Sequence, residues 1–68
     1  MELSARNKIK GTITEVKTGS VMAKVAVKIA DGTVINSMIT IDSVEDMNLK
    51  VGDEVFAIVK STEVMIGK

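Results

Sequence analysis

Apolar and polar residues alternate most clearly in the segment from Val21 to Ile29. The positions of one parity are all apolar: Val21, Ala23, Val25, Val27 and Ile29. These five matches to a period of two predict a half-buried strand, because a helix would place Val21 and Val27 on different faces from Ala23. The Asp31-Gly32 pair that follows is typical of a tight turn, so we expect a hairpin.

A first strand is predicted before this hairpin, at Lys8–Lys17. Ile9 and Ile13 share one parity, and Val16 breaks the phase. Gly11 inside the run predicts a β-bulge or the close approach of another backbone, as in a strand that bends around a barrel.

The remaining predicted strands have apolar residues on both faces. Thr33–Ile41, the returning strand of the hairpin, carries Val34 and Met38 on the face opposite to its isoleucines. Glu54–Lys60 contains a continuous apolar run, which is typical of a strand buried on both faces. Val64–Ile66 is predicted to be a final short strand. Because one barrel interior covers only one face of a strand, we expect a second subunit to cover the others.

One short helix is predicted at Asp42–Met47, between the third and fourth strands. Asp42 or Ser43 is the predicted N-cap, acidic residues occupy the first turn, and Asn48 ends the helix. Five strands with one helix between the third and the fourth is the pattern of an OB-fold. Residues 1–68 are therefore predicted to form one all-β domain, a five-stranded OB-like barrel.

Size and charge narrow the classes of function. A chain of 68 residues buries only about 60% of its unfolded surface, and without Cys or His it has neither disulfides nor the usual zinc ligands, so we expect a homo-oligomer. Zero net charge and a single aromatic residue, Phe56, argue against a nucleic-acid partner.

No apolar run approaches the roughly 20 residues that span a bilayer, and Met1–Leu3 does not begin a signal segment. We expect a cytoplasmic protein with no membrane partner.

Two clusters of hydrogen-bond donors flank the predicted barrel. Ser4 and Arg6 precede the first strand, and Lys60 and Ser61 follow the fourth. A lone Lys or Arg is usually a solvated surface cation, but here each cation is accompanied by hydroxyls. Because charge-assisted bonds combined with hydroxyl and amide donors are what a multivalent oxyanion requires, the two clusters indicate an oxyanion site.

The start of the predicted helix allows two interpretations. Ser43 is either a structural N-cap or, with Thr40 three residues earlier, a further donor for an anion. Catalysis is not expected, because the chain has no His or Cys from which a nucleophile–base pair could be built. We therefore predict no enzyme activity, no catalytic cofactor, and no metal except within an oxyanion.

Three segments resemble the molybdate-binding Mop family, the molbindins. Residues 4–11 (SARNKIKG) resemble the SARN-x-[IL]-x-G opening of that family, residues 59–65 (VKSTEVM) its closing segment, and residues 39–45 (ITIDSVE) its middle segment. The resemblance implies an OB-like barrel that assembles as a hexamer, a trimer of dimers, and binds molybdate and often tungstate at subunit interfaces. It implies a second kind of site near Ser20, on the three-fold axis, whose ligands stay unassigned. The implied ligands of the first site are Ser4, the Ala5 backbone, Arg6, Lys60 and Ser61, with Thr40 and Ser43 as further hydroxyl donors.

These observations predict a cytoplasmic protein that stores or buffers molybdate, with tungstate as an equally shaped ligand. Two alternatives from other classes stay open: an OB-type nucleic-acid-binding module, and a structural assembly unit whose polar clusters form interface hydrogen bonds. Zero net charge and the single Phe count against the first alternative. Titration with molybdate separates all three.

Overall fold

The computed structural model describes residues 7–68, which form one curled antiparallel sheet with a short helix. The strand order across the sheet is β3-β2-β1-β4. No helix in this described part is long and apolar enough to cross a membrane. The elements in chain order are β1 (Asn7–Thr18), β2 (Met22–Ile29), β3 (Val34–Thr40), α1 (Ile41–Asp46), β4 (Glu54–Val59) and a 3₁₀ turn (Ser61–Glu63).

Strand β1 is the longest element and pairs with a different neighbour along each half. Its first half pairs with β4, from Asn7 opposite Val59 onward, and its second half pairs with β2. The two pairings overlap at Gly11 and Thr12, and Gly11 lies opposite Ile29 on one side and Val55 on the other. β1 therefore joins the two parts of the sheet.

Strand β2 leaves no room for a side chain at Gly11. A Cβ at this position would lie 2.6 Å from Cγ1 of Val27 and 2.7 Å from the carbonyl oxygen of Lys28. Both distances are shorter than van der Waals contact, so only glycine fits without displacing β2. The close backbone approach predicted from the sequence is confirmed.

The bulge of β1 lies after Gly11. The β1–β2 register shifts between Ile13 and Glu15, so that two residues of β1 span one step of β2. Because a one-residue shift moves the following side chains to the other face, Val16 returns to the core side. The change of phase at Val16 in the sequence therefore marks the bulge.

The β2–β3 hairpin turns at residues 30–33, as the Asp-Gly pair predicts. Gly32 has a positive φ of 92°, which glycine adopts without steric cost. Oδ1 of Asp31 accepts a hydrogen bond from the amide of Thr33 at 2.9 Å. This bond to the ionised carboxyl holds the pKa of Asp31 below its ordinary value.

The core is small and lies between the sheet and α1. Its buried members come from β1, β2 and α1, and larger side chains from the rest of the fold pack against them. Ile13 is the one large side chain that is fully buried in the described part of the chain. The buried core cluster consists of Ile13, Ala23, Val25, Val27 and Val44.

Helix α1 begins one residue earlier than the sequence predicts, and its N-cap is Thr40 rather than Asp42 or Ser43. The prediction failed because Thr40 belongs to the strand pattern, whereas Asp42 lies in the first turn, where its charge favours the helix dipole. At the other end Asn48 adopts φ 51°, and the amides of Asn48 and Leu49 bond back to the last turn. This is a Schellman ending, and the predicted stop at Asn48 is confirmed.

The predicted fifth strand is wrong: the described residues form four strands. After β4 the chain enters the 3₁₀ turn, and residues 64–68 have no regular structure. Val64, Met65 and Ile66 expose 48%, 90% and 91% of their surface. These three apolar residues pair with neither edge strand of the sheet, so they do not form a fifth strand. The all-β class is correct, but β3 and β4 are free edges and hydrogen bonds do not close the sheet into a barrel.

Strand β4 is not buried on both faces within one chain, in contrast to the prediction from its continuous apolar run. Val55, Ala57 and Val59 are half-buried, whereas Phe56 and Ile58 are exposed. The apolar run of β4 therefore includes a second face, and the other described residues leave that face exposed.

We expect Gly11→Ala to destabilise the fold by about 1–3 kcal/mol, the usual cost of forcing extra volume against fixed backbone. Denaturant unfolding at fixed protein concentration measures this. Gly67→Ala is the matched control, because a Cβ there meets nothing within 4 Å, and it should change stability by less than about 0.5 kcal/mol. Equal unfolding midpoints for the two variants would contradict the close approach at Gly11.

Candidate functional site

Lys60 and Ser61 lie where β4 ends and the chain turns. The Lys60 backbone is extended (φ −68°, ψ 133°), and its carbonyl accepts the amide of Glu63 at 2.8 Å, which closes the 3₁₀ turn. The side chains of Lys60 and Ser61 are exposed, so both donors are available to a ligand.

Asn7 lies opposite Val59, the residue that directly precedes Lys60. Its side-chain Nδ2 donates a hydrogen bond to the carbonyl oxygen of Val59 at 3.2 Å. An open groove of about 520 Å³ runs beside this pair and is lined by Asn7, Lys8, Ile9, Val59 and Val64. The start of β1 and the end of β4 therefore meet at one end of the sheet.

The other predicted ligands of this cluster, Ser4, Ala5 and Arg6, lie outside the described residues. They directly precede Asn7 in the sequence. Their role as ligands stays a prediction.

Thr40 and Ser43 form a pair at the start of α1. Oγ1 of Thr40 accepts the amide hydrogen of Ser43 at 3.1 Å, and the Thr40 hydroxyl donates to Oγ of Ser43 at 2.9 Å. Thr40 therefore uses its hydroxyl inside the cap, which leaves the Ser43 O–H as the remaining hydroxyl donor of the pair.

The Thr40–Ser43 pair and the Lys60–Ser61 turn lie at opposite ends of β1. Thr40 is opposite Met22, at the end of β2 that pairs with the last residue of β1. Lys60 follows Val59, which pairs with the first residue of β1. One chain does not bring these two groups of donors to one point.

Two cations at the Lys60 end of the sheet form no ion pair with another described residue. The ion pairs within residues 7–68 are Lys10–Glu54 at 3.2 Å and Lys24–Glu15 at 2.9 Å, and neither includes Lys8 or Lys60. The hydrogen bond from Lys24, together with its positive charge, holds the pKa of Glu15 below its ordinary value.

Two other regions bear on the predicted sites. Ser20 lies in an open groove of about 360 Å³ with cationic and hydroxyl neighbours, including Lys17, Thr18 and Lys24. Within residues 7–68, no group of three His, Cys, Asp or Glu side chains is arranged to hold a metal ion.

Sequence reasoning missed the contact between Asn7 and Val59. The sequence places Asn7 beside the predicted ligand Arg6, but its hydrogen-bond partner is 52 residues away. Only a correct pairing of β1 with β4 would have revealed it.

Comparison with known proteins identifies one family. The TOBE domain model matches residues 3–66. Molybdenum-pterin-binding protein 2 of Clostridium pasteurianum is 50% identical over 66 residues, which are 97% of this chain and 97% of that protein.

Solved structures share the same fold. A molybdate-binding protein from Sporomusa ovata is 46% identical, with a TM-score of 0.94 over 100% of both chains. The cytoplasmic molybdate-binding protein ModG, solved with molybdate bound, is 39% identical with a TM-score of 0.85. That match covers 90% of this chain and 43% of ModG.

We expect Thr40→Ala to destabilise the protein by about 1 kcal/mol, because the amide of Ser43 loses its cap. Thr40→Ser retains the acceptor oxygen and should keep most of the stability. Thermal unfolding of both variants, with Thr62→Ala as an exposed threonine control, measures the difference. Equal melting temperatures for Thr40→Ala and Thr62→Ala would show that the cap contributes nothing.

Proposed function

This chain belongs to the TOBE-domain family, and on that premise we propose that it binds molybdate as an intact oxyanion. Relatives that match nearly all of its length are molybdenum-pterin-binding and molybdate-binding proteins. The proposed role is binding without catalysis, with no catalytic cofactor and with the metal present only inside the anion.

One observation carries the proposal: β1 and β4 pair so that Asn7 lies opposite Val59. This register joins the residue directly after Arg6 to the residue directly before Lys60. We propose that the anion is bound there, by Ser4, the Ala5 backbone and Arg6 together with Lys60 and Ser61.

The donor types suit a tetrahedral dianion. Arg and Lys supply charge-assisted hydrogen bonds, while serine hydroxyls and a backbone amide fill the remaining directions. Each hydrogen bond to a charged group contributes roughly 1.5–3 kcal/mol. Four or five of them, after the costs of desolvation and ordering, are enough for micromolar affinity, near −8 kcal/mol. Tungstate has the same shape and charge, so we propose it as a second ligand.

Exposed apolar surface supports a homo-oligomer. The chain exposes 5337 Å², about a quarter more than the roughly 4,200 Å² expected for a compact monomer of 7.3 kDa. Large apolar side chains contribute to this surface on β3, β4 and the last residues, among them Met38, Phe56, Ile58, Met65 and Ile66. Such surface is typical of a protein–protein interface. We propose a hexamer, a trimer of dimers.

The same assembly explains how two distant donor groups serve one anion. Because Thr40 and Ser43 lie at the opposite end of β1 from Lys60, we propose that this pair reaches the anion from a different subunit, with the Ser43 O–H as its hydroxyl donor. The site would then lie between subunits.

Storage or buffering of molybdate in the cytoplasm is the role that we propose. A protein that binds its ligand at several equivalent sites and catalyses no reaction acts by changing the free concentration of that ligand. ModG, a relative of the same fold, is a cytoplasmic molybdate-binding protein. A cytoplasmic location of this chain is part of the proposal.

We expect Arg6→Ala and Lys60→Ala each to weaken molybdate binding at least tenfold, about 1.4 kcal/mol, in calorimetric titration. Arg6→Lys should also weaken it, because an ammonium does not reproduce the planar fork of a guanidinium. Lys28→Ala is the matched control, since Lys28 is exposed and forms no ion pair within residues 7–68. The molybdate affinity of Lys28→Ala should equal that of the wild type.

The same titration tests the ligand class. Molybdate and tungstate should bind, sulfate should bind more weakly, and divalent metal cations should not bind strongly. Tight zinc binding without a response to molybdate would overturn the proposal. Tight binding of single-stranded nucleic acid would favour the OB-type alternative, and no binding of any ligand would favour a structural assembly unit.

Molybdate should also stabilise the assembly, because an anion held between subunits binds the associated form only. Linkage between binding and assembly predicts that one site stabilises the assembly by about 2.7 kcal/mol when free molybdate is in hundredfold excess over its dissociation constant. Sedimentation or native mass spectrometry in mild denaturant, with and without molybdate, measures the shift. A monomer at micromolar concentration that still binds molybdate tightly would show that the site lies within one chain.

A further inference from the structure

We propose that Asn7 is a positioning residue of the anion site, which fixes the turn that carries Lys60 and Ser61. This inference rests on the proposed function. It assigns to Asn7 a role in binding without direct contact with the anion.

The hydrogen bond from Asn7 to Val59 is the structural basis of the proposal. Nδ2 of Asn7 donates to the carbonyl oxygen of Val59 at 3.2 Å, and Val59 is the last residue of β4. A carbonyl oxygen has two lone pairs and accepts this bond in addition to a backbone bond of the ladder. The first residue of β1 therefore holds the last residue of β4 through its side chain as well as through strand pairing.

Little else in the described residues holds the turn. Its N-cap, Lys60, forms no side-chain capping bond, and one backbone bond, from the amide of Glu63 to Lys60, closes it. Residues 60–68 are exposed and, beyond the turn, have no regular structure. Among residues 7–68, restraint on Lys60 and Ser61 therefore comes mainly from the β4 side, where Asn7 acts, while Val64 lines the same groove after the turn.

The chemistry of Asn suits this role. Its side chain is short and neutral, so it fixes backbone geometry without adding a charge that attracts or repels a dianion. Preorganised donors bind more tightly because less conformational entropy is lost when the ligand arrives. Loss of Asn7 should therefore reduce affinity while it leaves the electrostatic part of binding unchanged.

The first test is titration of the full chain with molybdate at several salt concentrations. We expect Asn7→Ala to weaken binding between threefold and tenfold, as for one lost neutral hydrogen bond. Because salt screens charges, the salt dependence of the affinity should match that of the wild type, whereas Lys60→Ala should reduce it. Asn36→Ala, an exposed asparagine on the far edge strand β3, is the matched control and should bind as the wild type does.

A double-mutant cycle tests whether Asn7 acts through Lys60. The effect of Asn7→Ala on affinity should be smaller when Lys60 is already Ala, because one of the two side chains that Asn7 positions is gone and only Ser61 remains. Equal effects in the two backgrounds would show that Asn7 does not act through Lys60.

Amide hydrogen exchange of the ligand-free protein gives a readout that does not depend on binding. The Glu63 amide, which closes the turn, should exchange at least threefold faster in Asn7→Ala than in the wild type or in Asn36→Ala. Unchanged exchange, or unchanged molybdate affinity in Asn7→Ala beside normal wild-type binding, would overturn the positioning role alone. A wild-type protein that binds no molybdate would overturn the proposed function and the role of Asn7 with it.

Discussion

The contact of Gly11 with β2 is the constraint on which the rest of the fold depends. β1 must pair with β4 along one half and with β2 along the other, and the two pairings overlap at Gly11 and the following Thr12. The carbonyl of Lys28 lies where a side chain would otherwise begin. Glycine admits this approach, and β4 pairs with the first half of the same strand. That alignment places Asn7 opposite Val59 and thus the Lys60–Ser61 turn beside the beginning of the strand.

A small core makes the remaining apolar surface important. Five side chains, of which only Ile13 is large, form the buried cluster, and exposed apolar residues remain on β3, β4 and the last segment. A domain of this size gains limited stability from its own core. Exposed apolar surface favours association of subunits. A ligand that binds between subunits, as proposed, favours the associated form as well. Stability and ligand affinity would then be linked properties of this protein.

Local patterns in the sequence predicted much of the fold. The period-two alternation correctly predicted β2, the Asp-Gly pair predicted the hairpin, and Asn48 predicted the end of α1. The resemblance to the Mop family is confirmed by the family match and by relatives along the whole chain. Apart from the family resemblance, these successful predictions depend on side-chain period or on φ preferences, and a few neighbouring residues determine both properties.

Tertiary structure decided what depends on distant neighbours. Val64–Ile66 is apolar like a strand, yet within residues 7–68 it pairs with neither edge of the sheet. Phe56 is apolar like a core residue, yet the other described residues leave it exposed. For the site, the sequence alone identified Lys60 and Ser61 by type and motif. It did not reveal the Asn7–Val59 bond or the distance between Thr40 and Lys60, because both follow from strand register. Register depends on contacts between strands that are far apart in the sequence, so no single segment of the sequence determines it.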